Sequence, residues 1–273
     1  MAGRHSGALL MAGIGMMLVL ETLALPVTTS TSRQDEAQTP WFCHGIECPQ
    51  YTVIAKNQSS SLAWELRRYP AALWVSTDLH FETAEQLQEA TYEGFRRLFS
   101  YIEVLSCHAL GPAVSLILLW EPAHRLMRSD LIQSDLTDLI QGANVKQAKV
   151  EMTAPVLNSI TPGQGPFCES NLTLSFYVPQ AFQEEGPPKP SADNIYVASL
   201  PAQDVYVYQY STLPPGPSGQ NQIDNAAALA HALPAGSFEA SYFYSAQYDP
   251  PFRIFGRHDE IWLRATAPPA AQA

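Results

Sequence analysis

The chain has 273 residues, of which 46% are hydrophobic and 15% charged, enough for one sizeable domain or two small ones around a buried core. Its formal net charge of −11 argues against nucleic acid as a partner, because phosphates demand Lys and Arg. The acidity names no partner by itself; it is ordinary for a soluble surface.

Residues 1–25 read as a secretory signal. Arg4 and His5 give a basic start, Leu9 to Leu25 is mostly apolar, and Thr22, Leu23 and Ala24 frame a cleavage point just before Pro26. Glu21 departs from that pattern. The alternative is an uncleaved anchor, although the run is short for a span of about 20 residues. Cleavage would leave no stable membrane span and a secreted product. Residues 26–40 are polar, without apolar periodicity, and read as a flexible leader. Two features fit export. Asn57 and Asn171 each open an Asn-x-Ser/Thr acceptor sequence for glycans. The 4 cysteines, Cys43, Cys48, Cys107 and Cys168, allow three pairings in an oxidising compartment. A small Cys43–Cys48 loop is the simplest of these, with free thiols as the alternative. His44 lies inside that loop, but no second ligand pair follows to complete a metal site.

The folded part begins near Trp41. Tyr51 to Ala55, Leu62 to Tyr69 and Ala72 to Thr77 alternate as strands, with turns at Asn57 to Ser61 and at Pro70. Thr83 and Gln86 form a capping box. It opens a helix with Leu87, Ala90, Gly94, Phe95, Leu98, Phe99 and Ile102 at helical spacing. Lys149 to Val156, Leu172 to Val178, Asn194 to Ala198 and Asp204 to Tyr210 read as strands. A helix follows from Gln220 to about Leu233, then strands at Ser237 to Ala246 and Glu260 to Leu263. Strand-rich halves with one helix each predict an antiparallel α+β domain with an internal pseudo-repeat. Residues 265–273 read as a disordered tail.

Two segments carry a resemblance, Lys149 to Val156 with its Met152-Thr153-Ala154-Pro155, and Tyr248 to Leu263 with its Pro250-Pro251-Phe252-Arg253. Together they resemble the SOUL/haem-binding-protein family over about 41–264. The resemblance implies a distorted, barrel-like antiparallel sheet flanked by two helices. It also implies binding of haem or another porphyrin. The match is interrupted: Ser100, Tyr101 and Ile102 should run directly into Gln141, Gly142, Ala143 and Asn144, yet Glu103 to Ile140 intervenes. This insert reads as a splice or gene-model artefact, as a surface excursion of low entropic cost, or as a lid.

By the resemblance, the ring lies on a hydrophobic shelf between the first helix and the Pro-Pro loop. The shelf positions are Tyr92, Phe95, Phe99 and Ser100, and Arg253 pairs with a propionate. Some members carry basic residues where this chain has Tyr92 and Ser100. Phe95 and Phe99 equally fit a packing role. A histidine proposed in the family as an iron ligand is replaced by Arg68, which stays protonated and cannot ligate. His44, His80, His231 and His258 have no motif context for ligation, and Tyr69 and Tyr92 are further oxygen donors. Glu65 and the pair Asp259 and Glu260 read as solvated faces rather than acid–base groups. No arrangement with the spacing of a catalytic triad is present. The expected function is therefore non-enzymatic haem or tetrapyrrole binding by a secreted carrier or scavenger, held by ring burial. The alternative is a protein-interaction module acting through the Gln220 to Leu233 region.

Overall fold

A computed structural model of the chain describes residues 39–58, 62–103, 144–146, 148–163 and 170–266. The expected signal, most of the leader and of the tail, nearly all of the insert, and Cys107 and Cys168 lie outside these residues. Nine strands form one antiparallel sheet: β1 (Thr52–Asn57), β2 (Trp64–Tyr69), β3 (Ala72–Phe81), β4 (Val156–Thr161), β5 (Ser170–Tyr177), β6 (Tyr196–Leu200), β7 (Gln203–Tyr210), β8 (Phe243–Gln247) and β9 (Asp259–Arg264). Among the described residues two α-helices, α1 (Ala84–Ile102) and α2 (Gly219–Ala232), accompany them. This is the α+β architecture expected from the sequence.

The strand order is β1-β2-β7-β9-β8-β4-β5-β3-β6. Set aside β1, and the order reads the same from either end once β2 is matched with β6, β3 with β7, β4 with β8 and β5 with β9. The two halves, β2-β3-α1-β4-β5 and β6-β7-α2-β8-β9, are thus related by a pseudo-two-fold between β4 and β8. Each half gives its leading strand to the other: β2 pairs with β7, and β6 with β3.

Alternation along the strands divides the apolar residues between the two sheet faces. On β7, Tyr206 faces the helices while Val205 and Val207 face away. On β9, Ile261 and Leu263 face the helices and Trp262 faces away. The helix face is covered by Leu87, Ala90, Leu98, Tyr101 and Ile102 of α1 and by Ala226 and Leu229 of α2. The other face packs Phe42, Cys43, Cys48, Tyr69, Trp74, Tyr177 and Tyr244 around Trp262.

Helix α1 starts where its cap predicts. The Thr83 hydroxyl accepts from the Gln86 N–H at 3.3 Å. The Gln86 amide oxygen accepts from the Glu82 N–H at 2.7 Å, one residue before the usual reciprocal position. The strand expected at 149–156 starts only at Val156. Residues 149–155 pair through a single bridge, Glu47 with Thr153, and Pro155 has no N–H to extend a ladder. At the far end of α1 the flanks of the insert meet. Asn144 donates from its side chain to the Tyr101 carbonyl at 2.8 Å, and the Val150 N–H donates to the Ile102 carbonyl at 2.9 Å.

The helices meet at their N-termini, where a Cβ on Gly219 would stand 1.9 Å from the Ala84 carbonyl oxygen. Alanine at this first helical position gains up to about 1 kcal/mol in intrinsic propensity. The backbone clash outweighs that, because relieving such overpacking costs about 1–3 kcal/mol or more. Gly219→Ala is therefore expected to lower the urea midpoint.

Candidate functional site

Helix α1 turns one stripe to the sheet and leaves a second stripe half-buried along its flank. Phe95 and Phe99, one turn apart, stack with ring centroids 5.7 Å apart and planes within 18°. Phe95 also meets Phe176 of β5 edge-on at 5.5 Å. Both rings rest on the core, yet neither is sealed within it. Tyr92 continues the stripe towards the N-terminus. The Arg96 guanidinium lies over its ring at 5.9 Å, so a cation stands next to the aromatic pair. Sequence reasoning did not single out Arg96, because the family positions fall on Tyr92 and Ser100. Its place on the stripe follows from the helical spacing 92, 95, 96 and 99. Ser100 is buried, and its hydroxyl donates to the Arg97 carbonyl at 2.7 Å.

Arg253 sits in the loop between β8 and β9, and its charge is already matched. Its Nε lies 3.0 Å from Asp249 Oδ1 and donates to the Phe255 carbonyl at 3.1 Å; Nη1 lies 3.3 Å from His44 Nδ1. His44 Nε2 is in turn 2.8 Å from Asp249 Oδ1. The same loop exposes Phe252 (64%), Ile254 (59%) and Phe255 (83%), with Trp41 (68%) nearby. Cys43 and Cys48 are joined by a disulfide, which closes the segment carrying His44.

Behind this loop lies a buried polar network that the sequence reading placed on the surface. Asp259 and Glu260 are fully buried rather than solvated, and so is Arg67 of β2; Glu65 is partly exposed at its margin. Glu260 accepts from Arg67 Nη1 at 3.0 and 3.2 Å, Tyr248 Oη at 3.0 Å and Trp262 Nε1 at 2.7 Å; His258 Nε2 lies 2.8 Å from its Oε1. Burial by itself raises the Glu260 pKa. The Arg67 charge, followed by contacts from His258 and Trp262, brings it below the usual glutamate value. Arg67 also meets Glu65 at 2.9 Å, and Glu65 bridges outward to Lys56 at 2.7 Å. The His258 ring lies flat on Phe42 at 4.0 Å, and its backbone N–H donates to Asp249 Oδ2 at 2.6 Å. The error arose because strand charges ordinarily face water, whereas here partners from β2, β9 and the β8–β9 loop converge on one point. Only tertiary pairing reveals that convergence.

The other donors weighed for iron are engaged or peripheral. Tyr69 is buried and stacks on Trp262 at 4.8 Å; burial drives its phenol well above the usual range, which holds the proton on it. Arg68 makes a two-pronged pair with Asp204 at 2.7 and 2.8 Å on the surface. His80 meets Asn171 at 2.7 Å, and His231 is exposed at the end of α2. Among the described residues no cluster of three or more His, Cys, Asp or Glu could hold a metal ion.

Comparison with known proteins concerns the chain as a whole. The profile described as SOUL heme-binding protein matches residues 46–106 and 124–264, and the break at 107–123 falls inside the insert. Heme-binding protein 2 of Mus musculus is 33% identical over 223 residues, covering 80% of this chain and 85% of the other. Heme-binding protein 2 of Homo sapiens is 27% identical over 218 residues, with the same coverage. Heme-binding protein 1 of Xenopus laevis is 22% identical over 220 residues, covering 80% and 92%.

Glu260→Gln removes the fully buried counter-charge of Arg67 and leaves it only the partly exposed Glu65, and is expected to destabilise the fold by about 2–4 kcal/mol in urea unfolding. Replacing both residues, as Arg67→Met with Glu260→Leu, should restore most of the loss. The sign with pH follows from the lowered pKa. The contribution of Glu260 is complete above the ordinary glutamate value of about 4.3 and is lost as pH falls through its lower folded value. Acid titration of the urea midpoint, with the double variant showing a flatter profile, checks this.

Proposed function

Because the chain belongs to the SOUL haem-binding protein family, we propose that it binds haem or a related tetrapyrrole along the outer flank of α1. The observation that carries this reading is the stacked, half-buried Phe95–Phe99 pair beside the Arg96 guanidinium. A tetrapyrrole offers a wide apolar face and two carboxylates, and the stripe offers an aromatic shelf and a cation. The apolar residues of the β8–β9 loop, Phe252, Ile254 and Phe255, supply a second greasy surface. Arg253 enters as a propionate partner only by sharing the guanidinium with Asp249.

Ring burial rather than iron coordination is the source of affinity in this reading, and the role is that of a carrier rather than an enzyme. Among the described residues no helix is long and apolar enough to cross a membrane. A secreted carrier fits the signal-like start, the Cys43–Cys48 disulfide and the two acceptor asparagines. Asn171 is exposed at the head of β5.

Absorbance titration with haemin and with iron-free protoporphyrin tests the binding reading. The two are expected to bind with similar affinity, and a large preference for haemin would mean an iron ligand that this reading leaves out. Truncating one shelf ring, Phe95→Ala or Phe99→Ala, is expected to weaken both by about 10-fold or more, roughly the loss of one well-packed aromatic contact. Retained affinity in both variants removes the α1 shelf from consideration. Intact mass of the product from a secretory host is expected to show cleavage near Pro26 and glycans on Asn57 and Asn171.

A further inference from the structure

Two nitrogen-bearing side chains compete for one carboxylate oxygen at the base of the β8–β9 loop. The Asp249 carboxylate is buried, and its Oδ2 accepts from the His258 N–H at 2.6 Å. Only Oδ1 remains. His44 Nε2 lies 2.8 Å from it, and Arg253 Nε 3.0 Å. Neither contact is aligned as a hydrogen bond, so charge rather than direction holds the three groups together. The Arg253 Nε–H is aimed at the Phe255 carbonyl, 3.1 Å away.

The other side of the imidazole fixes where its proton sits. Arg253 Nη1 lies 3.3 Å from His44 Nδ1. A guanidinium has donors and no acceptor, so this bond runs from Nη1 to a bare Nδ1. The ring is then neutral, with its proton on Nε2, towards Asp249. A second proton turns Nδ1 from acceptor into donor. Two N–H groups then face each other, two cations stand side by side, and one carboxylate oxygen serves both. That arrangement does not hold all three groups. Exposure and tethering decide which one leaves. The Arg253 side chain is 36% exposed, against 22% for His44 and none for Asp249. His44 is also enclosed by the Cys43–Cys48 disulfide, with Trp41 edge-on to its ring at 6.3 Å. Among the described residues, the other ionisable groups around this point are engaged elsewhere. His258 stacks on Phe42 and meets Glu260. Glu47, in the disulfide loop, accepts from the Gln180 N–H. Arg257 donates to the Asp249 and Pro250 carbonyls.

We propose that His44 is a proton-operated latch on Arg253. With the ring neutral, Arg253 is held between Asp249 Oδ1 and His44 Nδ1, and its charge is matched within the protein. With the ring protonated, His44 keeps Asp249 as an ion pair, and Arg253 turns outward to a ligand carboxylate beside the exposed Phe252 and Phe255. Histidine is the side-chain class whose charge changes between about pH 5 and 8. Side-chain carboxylates ionise near about 4.3 and stay charged over most of that interval, as a propionate does. Binding of a carboxylate-bearing ring therefore strengthens as pH falls from 8 to 5.5 and weakens as it rises again. The inference rests on the reading of this loop as part of the ligand's site, and adds the condition under which Arg253 joins it. His44 is a positioning residue: it acts through Arg253 rather than on the ring.

Nitrogen-15 NMR of the free protein tests the latch without any ligand. At pH 8 the His44 ring is expected as the neutral Nε2–H tautomer. As the ring gains its second proton, the order parameter of the Arg253 Nε–H is expected to fall. An Nδ1–H tautomer at pH 8, a ring still neutral at pH 5.5, or an Arg253 unmoved by protonation each overturns the proposal. Absorbance titration with haemin and protoporphyrin at pH 8 and 5.5 then reads the coupling. Wild-type affinity is expected to rise by about 3-fold more than that of His44→Asn, the scale of one exposed ion pair. Comparison at each pH cancels the titration of the ligand and of His258. Asparagine suits the φ of 52° at position 44; should far-UV circular dichroism show it misfolded, His44→Gln takes its place. On an Arg253→Gln background the extra rise is expected to vanish. An equal rise in wild type and His44→Asn overturns the proposal. So does an extra rise that survives Arg253→Gln, because His44 then attracts the carboxylate itself. Absence of porphyrin binding in every protein at both pH values overturns the ligand reading instead, and the NMR result still decides the latch.

Discussion

A guanidinium from β2 and a carboxylate from β9, both closed off from water, hold the two halves of this sheet in register. Arg67 and Glu260 belong to different halves, and they meet only because β2 crosses to pair with β7 beside β9. A buried ion pair is weak evidence for net stability, since desolvation offsets much of the attraction. Its effect is on alternatives. A one-residue slip of β2 would move Arg67 to the helix face, among apolar side chains and without a partner. With Tyr248, Trp262 and His258 also directed at Glu260, the register that satisfies the carboxylate is strongly selected.

The same network extends to the loop that carries Arg253. His258 joins Glu260 to Phe42 by stacking and to Asp249 through its backbone. Asp249 then holds Arg253 and His44. The base of the β8–β9 loop is thus fixed by polar contacts, while its tip presents Phe252, Ile254 and Phe255 outward. Contacts made by a loop whose base is already held in this way carry less entropic cost.

The halves share topology but not chemistry. The charged network draws on β2 and β9, whereas their counterparts β6 and β5 carry no charged residue. The pseudo-two-fold therefore relates one guarded, ion-paired end of the sheet to an uncharged end. β1, which has no counterpart among the described residues, covers the flank of β2 and takes the exposed position there. The asymmetry between the two edges follows from that single added strand.

Local patterns were enough to read α1 from its Thr83 cap, α2 from its helical run, the alternating strands and the α+β class. Each depends on residues a few positions apart, and period and capping act over that range. The family followed from two short motifs, and the helix positions 92, 95 and 99 were carried over from that resemblance, with helical spacing supporting 95 and 99. What lay beyond the sequence was everything decided by non-local pairing: the exchange of β2 and β6, the burial of Asp259 and Glu260, and the capture of Arg253 by Asp249. A charged residue in a strand carries no local mark of whether its partner is water or a guanidinium 193 positions away. That choice is made only when β2 and β9 come within one strand of each other, through the β7 that both pair with.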